Sequence, residues 1–93
     1  MILVARPGSD VLTPVESMTF AEAQAVVEGY VEVLWLVENE ACALVNEEGR
    51  LRSMPFNGAA SYVAGRPLVG PAVFLTDEHV DLVLGRRDDA EAS

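Results

Sequence analysis

The chain has 93 residues, 51% of them apolar, and a formal net charge of -9 from 15 acidic and 6 basic side chains. That length supports one small domain with one modest core, and that apolar fraction argues against global disorder. The acidic balance disfavours direct nucleic-acid binding, which draws its affinity from cations that neutralise phosphates, and no apolar run approaches the roughly 18 residues of a membrane span.

Every basic residue is Arg and none is Lys, a usage expected of a GC-rich genome. "MILVA" is too short for the apolar region of a signal peptide and no basic segment precedes it, so the expected location is cytoplasmic. The lone cysteine, Cys42, has no partner for an internal disulfide.

In chain order, "ILVAR" (2–6) predicts a first strand and "PGSD" a turn. "VLTPVES" (11–17) predicts a weaker strand at an edge, because Pro14 has no amide to donate. "TFAEAQAVVEGY" is the clearest helix. Thr19 and Glu22 have capping-box spacing; Phe20, Ala23 and Val27 share a face; Gly29 suits a left-handed end. "YVEVLWLVE" (30–38) is rich in β-branched and aromatic residues and predicts a strand, with Val31, Val33, Trp35 and Val37 on one face and Glu32, Leu34 and Leu36 on the other.

"ACALVN" (41–46) and "RLRSM" (50–54) extend this into an expected antiparallel meander, joined through "NEEG" as a hairpin turn with Gly49 at positive φ. Residues 57–65 suit a short helical turn capped by Asn57. A last strand lies near Ala72–Leu75, and Thr76 is placed to cap a short C-terminal helix over "DEHVDLVLG". Residues 1–85 therefore form one α+β domain, a mixed or antiparallel sheet with one main helix packed on it. A β-grasp-like arrangement is the first topology to test, and 86–93 form a polar tail.

Asn46, Glu47, Glu48 and Gly49, with Pro55, Phe56 and Asn57, are the candidate binding residues, because polar and Gly/Pro positions between strands are common places for function. Adjacent glutamates in a strand point to opposite faces, and no His cluster or Asp-rich loop adds ligands, so no metal or other cofactor is expected. The glycines form neither a Walker loop nor a dinucleotide fingerprint. A Cys42–His79 dyad requires the fold to bring the two together. Arg50, Arg52 and Arg66 are candidate contacts for an anionic ligand.

The stretches "VVEGYVEVLWL" and "ALVNEEGRLRSMPFNGAASYVAGRPLVGPAVFL" resemble a family of small proteins catalogued as domain of unknown function 3846, common in phage, plasmid and bacterial genomes. The likeness rests on "GY" and the alternating valines after the helix, "VNEEG", the Pro55–Asn57 segment with Ala60, and "VGPAV". Many relatives have a Gly pair before the Tyr, where this chain has Glu28–Gly29. The resemblance implies a compact α+β domain with an accessory or host-interaction role in a mobile-element setting, and it carries over no catalytic residue.

The leading expectation is a non-enzymatic binding protein acting on a protein partner or small ligand, with a homodimer reasonable for so small a core. Three other readings stand beside it. One is a small hydrolase or nucleotide-processing enzyme using Glu47 or Glu48 with Asn57. Another is an acidic decoy for a basic protein. The last is an oligomer that sequesters an anionic nucleotide through its arginines.

Overall fold

The computed structural model describes residues 1–85; the polar tail expected at 86–93 lies outside the described residues. Five strands and three helices alternate along it: β1 (Ile2–Ala5), β2 (Leu12–Val15), α1 (Phe20–Val27), β3 (Val31–Val37), β4 (Ala41–Asn46), α2 (Gly58–Ala64), β5 (Ala72–Thr76) and α3 (Glu78–Leu84). The strands make one sheet in the order β2-β1-β5-β4-β3, and every pairing is antiparallel. The α+β class is thus as expected, the sheet is not mixed, and nothing in this pairing singles out a β-grasp. Among the described residues no helix is long and apolar enough to cross a membrane.

Both faces of the sheet are covered. On one face Ile2, Val4, Cys42, Leu44, Val73 and Leu75 pack against Ala23 and Val27 of α1 and Val80 and Val83 of α3. On the other, Ala5, Ala43, Val45, Ala72 and Phe74 meet Ala60 of α2 and Leu68. Alanines from the strands and from α2 make up much of this second cluster, around Phe74, Val45 and Leu68. Because both faces are buried, the central strands read as continuous apolar runs rather than as alternations. β3 shows the same division at the edge: Val31 and Val33 pack with the first cluster, Leu34 and Leu36 with the second.

α1 starts at the expected capping box. The Thr19 hydroxyl accepts from the Glu22 amide at 3.1 Å and the Glu22 carboxylate accepts from the Thr19 amide at 2.8 Å. β2 and β3 are opposite edges of the sheet, so α1, which joins them, crosses the face over β5 and β4. The helix ends one residue earlier than expected. Glu28, at φ 67°, takes the left-handed position assigned to Gly29.

Residues 50–54 are not a strand. They form consecutive turns, closed by amide-to-carbonyl bonds such as Arg52 to Glu48 and Met54 to Gly49. The reason is topological. β4 already has β3 on one side and β5 on the other, so "RLRSM" has no open edge to join, and the more apolar "AVFLT" holds that place. Pairing resumes only at an isolated bridge between Phe56 and Val69. Thr76 is likewise not a cap: it ends β5, and Asp77 stands at the start of α3 without a side-chain cap bond.

Leu44 is completely buried between the central strands and α1. Leu44→Ala is expected to lower unfolding free energy by about 2–5 kcal/mol, measured by urea denaturation. Leu82→Ala, at a side chain 54% exposed, is expected to change it far less.

Candidate functional site

The stretch that drew attention in the sequence divides into scaffold and surface. Asn46 ends β4 on the face turned to α1. Its amide nitrogen donates to Val27 O at 2.9 Å, satisfying a carbonyl left open at the helix C-terminus. Its side-chain oxygen accepts from the Glu48 amide at 2.7 Å and shapes the turn that follows. Arg52 reaches the same helix end, donating from Nη1 to Glu28 O at 2.7 Å, where a cation also complements the helix dipole. The 47–54 turns are thereby fastened to α1.

Asn57 is fully buried, and each polar atom of its side chain is engaged. Nδ2 donates to Ala5 O at 3.0 Å and to Gly70 O at 2.9 Å, while Oδ1 accepts from the Ala60 amide at 3.0 Å. The last bond is the helix cap expected from sequence; the other two tie α2 to the end of β1 and to the residue two before β5. Asn46 and Asn57 are the buried polar side chains among the described residues. Asn57 is closed off from solvent, so an acid/base pairing of Glu47 or Glu48 with it is not assembled, whereas Asn46, though mostly buried, also borders the cleft described next.

The surface part is a cleft of about 250 Å³. Its floor is the second sheet face at Leu34 and Val45, and its walls are the turn at Glu47–Leu51 and the loop at Arg66–Val69. Two glycines let these walls close on each other. A Cβ on Gly49 would lie 3.0 Å from Val69 Cγ2, and one on Gly70, which also has φ +75°, would lie 2.7 Å from Met54 Sδ. Gly49 thus serves a close approach to Val69 and does not hold the positive φ expected of it in a hairpin. Glu32, Glu47, Arg50 and Arg66 give the cleft two carboxylates and two guanidinium groups. Among the described residues neither the Arg50 nor the Arg66 side chain makes a hydrogen bond or ion pair.

A family model described as Domain of unknown function (DUF3846) matches residues 1–84. The chain belongs to this family. Searches of curated proteins and of solved structures returned no match. In this DUF3846 chain the remaining candidates scatter. Glu48 is exposed beside the cleft, Pro55 lines a separate shallow depression with Arg6 and Glu28, and Phe56 is 60% exposed. His79 presents Nδ1 to the Met1 ammonium at 2.8 Å, and Cys42 sits in the core of β4, so the contacts found do not form the dyad weighed from sequence. Sequence reasoning did not find Glu32, Leu34 or Leu51 as cleft residues. Leu51, an exposed leucine between two arginines, was the available signal.

Asn57→Ala leaves two carbonyls and one amide without their partner in a closed environment, and is expected to cost more than about 2 kcal/mol. Asn57→Asp is expected to cost more still at neutral pH, because it aims a carboxylate at two carbonyl oxygens. Chemical denaturation of the two variants checks the order; equal stability of the three proteins contradicts the assignment.

Proposed function

We propose that this chain is a non-enzymatic binding protein of accessory role that holds a small ligand in the cleft between the 47–51 turn and the 66–69 loop. The observation that carries the reading is convergence. β3, the end of β4 with the turn that follows it, and the 66–69 loop enclose one concavity in which Leu34, Val45 and Leu68 meet four charged side chains, a more polar lining than most small-molecule sites have and one suited to a polar ligand. Catalysis has less support, because Asn57 is sequestered and Glu47 keeps company with no His or Cys in the cleft.

Leu51 is 85% exposed on the rim, so its role in binding separates cleanly from stability. A fragment screen followed by amide chemical shifts is expected to move residues 47–51 and 66–69. Leu51→Ala is expected to weaken those fragments several-fold while leaving the melting temperature within about a degree or two, as for surface substitutions in general. Tyr62→Ala, on α2 and 90% exposed, is expected to change neither. Fragments that bind elsewhere and ignore the cleft would sink the proposal.

A further inference from the structure

Carboxylates outnumber arginines by 15 to 6 in this chain, yet the two guanidinium groups of the cleft pair with none of those among the described residues. The side chains of Arg50 and Arg66 line the same concavity with no ion pair or hydrogen bond to another described residue. Arg52, their close neighbour in sequence, is different: it is committed to Glu28 O at the end of α1. A single carboxylate is satisfied by one guanidinium fork, whereas two forks suit a dianion with three terminal oxygens.

Glu32 and Glu47 line the cleft as well. They keep its own charge balanced and act only as acceptors when ionised, which suits hydroxyl groups on the ligand. Glu32 stands on the floor side: it is the register partner of Val45 and shares its face with Leu34. The volume of about 250 Å³ lies below the roughly 300–1,000 Å³ of drug-sized pockets, which favours a compact molecule over a dinucleotide.

We infer that the cleft takes a small phosphate monoester bearing hydroxyl groups, of sugar-phosphate size, with its phosphate on Arg50 and Arg66 and its hydroxyls toward Glu32 and Glu47. This rests on the cleft being the ligand site.

The test is an amide chemical-shift titration of the 93-residue protein with ribose 5-phosphate, inorganic phosphate, ribose and succinate. Ribose 5-phosphate is expected to move the amides of 47–51 and 66–69. Inorganic phosphate is expected to move the same amides with weaker affinity, and ribose to leave them unmoved. Arg50→Gln and Arg66→Gln are each expected to weaken ribose 5-phosphate about tenfold or more, the scale of one charge-assisted contact. Glu32→Gln is expected to weaken ribose 5-phosphate and spare inorganic phosphate, and Arg6→Gln, outside the cleft, to spare both.

If ribose moves the cleft amides as strongly as its phosphate and the Arg variants bind it unchanged, the phosphate assignment is overturned and the cleft stands. Succinate binding as tightly as ribose 5-phosphate overturns it in favour of a dicarboxylate. If none of the four probes and no neutral fragment moves these amides, the assignment and the cleft reading fall together.

Discussion

The side chain of Asn57 ties the start of α2 to two points that the β1–β5 pairing sets side by side, the end of β1 at Ala5 and the approach to β5 at Gly70. The long connection between β4 and β5 has no regular pairing beyond one isolated bridge, so it needs side-chain bonds to fix its path. A buried amide whose partners are all supplied is directional in a way that apolar packing is not. It sets where α2 begins, and it places the 66–70 loop opposite the 47–54 turns. Asn46 does the corresponding work at the other end, binding the turns to the C-terminus of α1. The cleft is what remains between two segments held in this way.

This division explains why a stretch so rich in polar residues is mostly structural. Within Asn46–Asn57 the two asparagines are inward and the charged residues outward. The asparagines are fully partnered, and Arg52 caps a helix. Glu47, Arg50 and Leu51 instead line the cleft, which Arg66 borders from the other wall. Glycines complete the arrangement by their size: a Cβ on Gly49 would press on Val69 and one on Gly70 on the Met54 side chain, and Gly70 also holds a positive φ.

Much of the fold was legible in the residue pattern because it depends on local chemistry. The Thr19–Glu22 box, the Asn57 cap and the edge position forced by Pro14 are each read from a few neighbouring residues and each appear in the structure. The misreadings share a cause of another kind. "RLRSM" alternates as a strand does, but β4 gives its second edge to β5, about thirty residues further on; no local pattern states that preference. Gly49 resembled a hairpin glycine because its partner Val69 is distant in sequence. The cleft was half legible. Its turn residues were named from composition, but Glu32 and Leu34 entered it only through the register of β3 on β4.

The central claim is that the 46–57 stretch is a scaffold held by Asn57 with the cleft as its product, and native-state hydrogen exchange tests it most directly. The Asn57 side-chain amide protons and the Ala60 backbone amide are predicted to exchange only through global unfolding, tracking the slowest core amides of β4 and β5 as denaturant is added. Fast exchange of these protons at zero denaturant, with the core amides still protected, would show that the connection opens by itself and that Asn57 does not hold it.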